Sequence, residues 1–214
     1  MRRLSRVLKS SATAGLSGLA TSQALAHHPI GGAVPTTAWQ GLLSGLGHPV
    51  IEIDHLLFLL GAATVVGLLK VAPGRAALAL MLYAAASAVG TAIRVPGLEL
   101  LLAEPMVAMS LLVLSLCLWL RRAPAGAAGG LMVATAGLIH GYAYGGAVVG
   151  AELTPLAWYL GGLFTVQTLL IVAVFAAVRC LRAVAATGLV AAERALGVAT
   201  GTAGGWALWT SLEA

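Results

Sequence analysis

Long apolar segments separated by short polar connections dominate this sequence. Hydrophobic residues make up 60% of the 214-residue chain and charged residues 9%. A run of about 20 apolar residues is long enough to cross a bilayer as an α-helix. Six such runs occur, at about residues 50–69, 76–93, 100–120, 127–149, 156–178 and 189–210. The pattern predicts an all-α integral membrane protein in which residues 50–214 form a bundle of six transmembrane helices.

The first residues are typical of a secretory signal peptide. A basic start, a short apolar stretch and a small-x-small tripeptide follow one another: Arg2, Arg3, Arg6 and Lys9, then Ser11 to Ala20, then Ala24-Leu25-Ala26. We expect residues 1–26 to be removed and residues 27–49 to form a periplasmic N-terminal segment; an uncleaved amphipathic start is the alternative. Losing four basic residues takes the formal net charge from +5 to +1. The sequence pI of about 9.8 therefore does not indicate a nucleic-acid partner.

Basic residues mark every second connection between the predicted spans. They are Lys70, Arg75, Arg121, Arg122, Arg179 and Arg182, whereas Arg94 is the only one in the remaining connections. Short basic loops stay in the cytoplasm, so both mature termini are predicted outside, as the signal peptide also requires. We expect a multi-pass protein of the bacterial inner membrane. Five aromatic residues then fall at the outer interface, where aromatic belts form: Trp39, Trp158, Tyr159, Trp206 and Trp209.

The densest polar cluster lies at the outer end of the first span and reads His-Pro-Val-Ile-Glu-Ile-Asp-His, from His48 to His55. Pro49 suits the first position of a helix, which predicts a helix start at His48. Residues 36–47 would form a short interfacial helix or extend the span outward. Helical spacing places His48, Glu52 and His55 on one stripe and Asp54 on a neighbouring face. Asp54 is thus either a ligand or an acceptor that orients an imidazole.

Two further polar residues share this membrane depth. Glu104 begins the third span, and His140 lies in the outer half of the fourth. Charge beside hydrocarbon is costly and usually marks a functional site. Imidazoles combined with carboxylates suit nickel, cobalt, zinc or copper, whereas an all-oxygen set would suit magnesium or calcium. We predict a divalent transition-metal site facing the periplasm. Considered alone, His140 could be a structural histidine, and Glu52 could be a solvated carboxylate.

The predicted mature start adds two histidines. After cleavage, His27 would offer an imidazole and a free α-amine, and His28 a second ring. An amine and an imidazole can chelate one ion together once the metal displaces the amine proton. These two residues are predicted to help complete or supply the metal site; the alternative is a terminus whose histidines are incidental.

Several of these motifs resemble the HupE/UreJ family of nickel or cobalt permeases associated with hydrogenase and urease maturation. The segment HPVIEIDHLLFLLGAA resembles the family's H-x5-D-H signature, and EPMVAMSLLVLSL and IHGYAYG resemble its third- and fourth-span motifs. The resemblance implies a six-span permease that admits nickel or cobalt. This chain departs from the family's HGHAHGxE pattern, because Tyr142 and Tyr144 occupy the later histidine positions and Gly146 and Ala147 stand where an acid is expected.

Three functions are compatible with these residues. The first is a permease whose relay residues in the inner half are Gln167, Thr165 and Thr168. The second is an intramembrane metal-dependent hydrolase with Glu104 or Glu52 as general acid or base; the third is a membrane sensor or storage protein. We favour the permease, with no catalytic residues, because no zincin-type H-E-x-x-H motif is present. The expected partners are a metal ion and the bilayer, with a homo-oligomer allowed and, by the resemblance, hydrogenase or urease maturation machinery.

Overall fold

The part of the chain that the structure describes folds into seven α-helices and contains no β-strand. The computed structural model describes residues 33–69 and 72–213. The helices are α1 Ala38–Ile51, α2 Ile53–Leu68, α3 Pro73–Arg94, α4 Ala103–Leu120, α5 Gly126–Gly145, α6 Leu153–Val184 and α7 Ala186–Glu213, with a short 3-10 helix Gly146–Val148 after α5. The all-α prediction is confirmed for these residues. The predicted signal peptide, residues 1–26, lies outside them.

Each of the six predicted spans is covered by a helix. Three helices, α3, α4 and α6, are individually long and apolar enough to cross a membrane, and α1 with α2 qualifies as a fourth, broken span. Large apolar side chains remain exposed on the bundle surface, as lipid contact allows; examples are Leu78, Met81, Leu101, Leu169 and Leu212. These features are those of a multi-pass membrane protein. Six crossings and an outer N-terminus stay predictions.

The helix break at Glu52 corrects the predicted start of the first span. α1 begins after Thr37, whose side chain accepts from the Gln40 backbone amide while the Gln40 side chain accepts from Thr37, a capping box. This helix then runs through His48 and Pro49, which are therefore not a helix start. Glu52 adopts an extended conformation (φ −82°, ψ 110°), and α2 leaves at 73° to α1. The segment before His48 is helical, as expected, but it does not continue the span in a straight line.

Close helix contacts at glycine hold the bundle together. The most extensive interfaces join α3 to α5, α1 to α6 and α4 to α7. A Cβ at Gly141 in α5 would overlap the backbone oxygen of Ser87 in α3, and a Cβ at Gly45 in α1 would overlap that of Tyr159 in α6. Such glycines let two backbones touch, which is how helices associate in the absence of a strong hydrophobic force. The α1–α6 and α3–α5 contacts fix two walls of the site described below.

Basic side chains organise the opposite end of the bundle. Arg182 of α6 donates to the Leu68 carbonyl (2.6 Å) at the C-terminus of α2, where a cation complements the helix dipole. Arg121, just past α4, lies 3.1 Å from the buried carboxylate of Glu193 in α7. These contacts join α6 to α2 and the end of α4 to α7 near the predicted cytoplasmic face, so their role is structural.

Replacing Gly141 by Ala should destabilise the fold. The added Cβ would force α5 away from α3, and overpacking of this kind costs about 1–3 kcal/mol. Gly205→Ala is the matched control, because a Cβ there meets nothing within 4 Å and alanine favours the helix by up to about 1 kcal/mol. Thermal unfolding of the detergent-solubilised protein, followed by size-exclusion chromatography, measures both effects. Equal stability of the two variants would contradict the packing role of Gly141.

Candidate metal site

Two histidines meet one carboxylate at the break between α1 and α2. The Nε2 atom of His48, in the last turn of α1, lies 3.1 Å from Oε1 of Glu52. The Nε2 atom of His55, in the first turn of α2, lies 3.0 Å from Oε2 of the same carboxylate. Ligand atoms of the three residues all lie within 4.8 Å of one another. This spacing would let one metal ion bind two imidazole nitrogens and a carboxylate oxygen at once.

Aromatic side chains enclose the two histidines. His48 and His55 are 1% and 2% exposed. The Tyr144 ring packs against both, with ring centroids 5.2 Å from His48 and 4.3 Å from His55. Tyr159 of α6 lies on the other side of His48, its hydroxyl 3.2 Å from His48 Nδ1. Among the described residues, both imidazole rings are therefore packed against tyrosine rings, while the carboxylate that they contact, Glu52, is half-buried.

His140 lies directly behind His55. The Nδ1 atoms of the two rings are 2.7 Å apart, and Nε2 of His140 is 2.8 Å from the Ser110 hydroxyl of α4. His140 is fully buried, and the Phe58 ring packs 4.1 Å from it, centroid to centroid. Both ring nitrogens of His140 thus contact protein groups, so it joins the site through His55.

An acidic pocket of about 780 Å³ opens onto this cluster. Its walls carry four carboxylates and one guanidinium: Glu52, Asp54, Glu99, Glu104 and Arg94. Trp206, Ala207 and Thr210 from the end of α7 complete the rim. An excess of negative charge around an opening concentrates cations there. The pocket therefore connects the two histidines to solvent through a region that attracts metal ions.

Two other predicted ligands line this pocket without joining the three-residue cluster. The Asp54 carboxylate accepts from the backbone amide of His55 at 2.8 Å, so it satisfies an N–H at the start of α2. Glu104, at the start of α4, is exposed to the pocket and close enough to His55 to interact electrostatically. His27 and His28 lie outside the described residues. Of the eight predicted ligands, the structure thus gathers His48, Glu52 and His55 most closely.

Tyr142 anchors the connection between α3 and α4 above the pocket. Its hydroxyl donates to the Leu98 carbonyl and accepts from the Leu100 amide at 2.7 Å and from Arg94 at 3.1 Å. The Arg94 guanidinium also lies over the Tyr142 ring, 5.3 Å from its centroid. This tyrosine holds the outer loop in place and is not a ligand in the cluster.

Ser110 and Tyr159 were not predicted as site residues. Serine in an apolar span is usually interpreted as a packing residue, and nothing in the spacing of Ser110 connects it to His140. Tyr159 was predicted in the outer aromatic belt, but it is fully buried, whereas its neighbour Trp158 is 48% exposed. That prediction was wrong for Tyr159, because α6 turns this side chain toward His48 and leaves Trp158 at the surface.

A comparison with protein families identifies the family of the chain. The family model described as HupE / UreJ protein matches residues 15–207, which is most of the chain. The chain belongs to the HupE/UreJ family. No curated protein and no solved structure matches it. Membership makes it a membrane protein of a metal-transport and accessory family, which is not a known enzyme class. Within this family member, the three-residue cluster is the strongest candidate for contact with the metal.

Replacing Tyr142 by Phe should loosen the outer loop without unfolding the protein. The change removes the oxygen that accepts from Leu100 N–H, so that amide should exchange with solvent about fivefold faster, as expected when a net hydrogen bond of about 1 kcal/mol is lost. Hydrogen exchange with mass spectrometry measures this directly. Tyr83→Phe is the control, because the Tyr83 hydroxyl makes no hydrogen bond of normal geometry with the described residues. An unchanged Leu100 rate in Tyr142→Phe contradicts the anchoring role.

Proposed function

We propose that this protein is a permease that binds a divalent transition-metal ion, nickel or cobalt, on the periplasmic side of the bacterial inner membrane and passes it inward. The observation that carries the proposal is the convergence of His48 Nε2, His55 Nε2 and the Glu52 carboxylate at the base of an acidic pocket. Two imidazoles and one carboxylate suit nickel, cobalt, zinc or copper. The link of the family to hydrogenase and urease accessory systems favours nickel or cobalt among these ions.

The three ligands leave part of the metal coordination sphere to other groups. Structural metal sites are closed by four protein ligands, whereas sites with three keep a position for water or substrate. We infer that water fills the remaining positions, with Asp54 and Glu104 bound to it from the pocket wall. An ion held in this way keeps ligands that it can exchange, which a transport site requires and a storage site does not.

Polar side chains continue from the site into the bundle. The buried hydroxyls of Tyr83 and Tyr144 lie next to one another. Deeper in the bundle, Gln167 of α6 donates to the Ser87 hydroxyl of α3 at 3.3 Å. Thr165 is exposed and donates to the Gly161 carbonyl, and Thr168 is half-buried. The buried Gln167 is therefore the best placed of the three relay residues predicted from the sequence. We propose that these oxygen atoms form the next steps of the path.

The uptake assay uses purified protein in proteoliposomes and radiolabelled Ni²⁺ or Co²⁺. His55→Ala and Glu52→Gln should reduce both uptake and metal affinity by more than about 100-fold, because even residues that only orient ligands contribute 10- to 100-fold. Glu99→Gln is the matched control: it lies on the pocket rim, 81% exposed, near Arg94, and should change uptake little. Full uptake by Glu52→Gln would contradict the assignment of Glu52 to the metal site.

Uptake, combined with a binding and a cleavage measurement on the same protein, separates the permease from the sensor or storage protein and from the hydrolase. A sensor or storage protein would bind metal in equilibrium dialysis and show no time-dependent accumulation in the liposomes. A hydrolase with Glu104 as general base would show metal-dependent cleavage of a peptide or ester that Glu104→Gln abolishes. Either result, with the wild-type protein correctly inserted, contradicts the permease.

Gln167→Leu tests the inner path separately. The change keeps the side-chain volume and removes both polar groups, so ion movement past α6 should slow about tenfold. Metal binding at the outer site should stay normal, because the variant leaves His48, Glu52 and His55 intact. Thr165→Val is the control on the exposed face of the same helix. Unchanged uptake by Gln167→Leu would show that this residue is not on the path.

A further inference from the structure

We propose that Ser110, His140 and Tyr159 are positioning residues that fix the proton arrangement of the two histidine ligands, and that His140 itself does not bind the metal. The inference rests on the metal site proposed above. It assigns a role to Ser110 and Tyr159 that no motif indicates, and it moves His140 from ligand to support. The evidence is two chains of buried hydrogen bonds, one behind each histidine.

The first chain runs from His48 into α6. The Tyr159 hydroxyl donates its single hydrogen to the Tyr144 carbonyl at 2.7 Å. It can therefore only accept from His48 Nδ1, which lies 3.2 Å away. His48 then carries its proton on Nδ1, and a neutral imidazole with a proton on one nitrogen has its lone pair on the other. With a metal ion bound, His48 would then coordinate it through the lone pair of Nε2, on the side of Glu52 and His55.

The second chain runs from His55 through α5 into α4. The Ser110 hydroxyl donates to the Val107 carbonyl at 2.7 Å, so it accepts from His140 Nε2 at 2.8 Å. His140 with a proton on Nε2 has its lone pair on Nδ1, where it accepts from His55 Nδ1 at 2.7 Å. With a metal ion bound, His55 would then also coordinate through the lone pair of Nε2, on the side of Glu52. Each N–H or O–H group in this chain of hydrogen bonds donates to one acceptor.

The two chains give the same result by different routes. Each ends on a backbone carbonyl, of Tyr144 or Val107, and each leaves Nε2 of a histidine as the coordinating atom. Metal-bound histidines generally donate their other ring N–H to a fixed acceptor, which sets the tautomer and raises the basicity of the ligand. His140 is that acceptor for His55, and both of its own nitrogens are occupied by His55 and Ser110.

Histidine side-chain ¹⁵N NMR of the zinc-loaded protein tests the assignment, because Zn²⁺ is diamagnetic and suits the same ligands. We expect His48 and His55 to show Nε2 coordination and a proton on Nδ1. His140 should show an uncoordinated ring with its proton on Nε2. A coordination shift on either nitrogen of His140 overturns the proposal. Binding of zinc without transport would instead contradict the permease and leave this inference standing.

Affinity measurements test Ser110 and Tyr159. Ser110→Ala and Tyr159→Phe should each weaken Co²⁺ binding about tenfold and alter its visible absorption spectrum, whose bands report the ligand field. Ser110→Thr should restore both, because a threonine hydroxyl can also donate to the carbonyl one turn back. Ser115→Ala is the matched control in α4, since its hydroxyl donates to Gly197 in α7. Wild-type affinity and spectrum in Ser110→Ala, or no rescue by threonine, would contradict the positioning role.

Discussion

The break in the backbone at Glu52 is the constraint on which the site depends. In a straight helix, seven residues separate His48 from His55 by about 10 Å along the axis, so each ring could contact Glu52 between them while the two rings stayed far apart. The 73° bend closes that distance, and the two ring centroids lie 5.9 Å apart. Glu52, the extended residue at the bend, also supplies the carboxylate that both rings contact. The local conformation that interrupts the span therefore also assembles the three candidate ligands.

A cluster of this kind is costly inside an apolar bundle, and the packing around it offsets the cost. Buried polar groups destabilise a fold unless each finds a partner. Here the partners come from helices that glycine allows to approach: Gly45 brings α1 onto α6 beside Tyr159, and Gly141 brings α5 onto α3 next to His140. The hydrogen-bond chains and the helix contacts are thus two parts of one arrangement. Loss of the close packing at Gly45 would therefore separate His48 from the Tyr159 hydroxyl that contacts it.

The helices and most site residues could be predicted from the sequence because both depend on local features. Apolar runs give the helices, and rare polar residues at one depth give the pocket that contains Asp54 and Glu104. The bend could not be predicted, because His48-Pro49 also fits a helix start and no glycine or proline stands at position 52. Ser110 and Tyr159 were missed for another reason. Their partners are far away in the sequence, so only the rotation of α4 and α6 about their own axes shows which way they face.

The two tyrosines at the positions of motif histidines bear on how tightly the proposed site would hold an ion. Tyr142 binds the outer loop through its hydroxyl, and Tyr144 contributes an apolar ring against His48 and His55. Neither supplies an imidazole nitrogen, so the proposed ligand set stays at two nitrogens and one carboxylate, which would leave positions open for water. Fewer soft ligands lower the affinity for nickel, cobalt, zinc and copper alike. A site through which ions pass must release them again, and an incomplete coordination sphere at the end of an acidic pocket allows both capture and release.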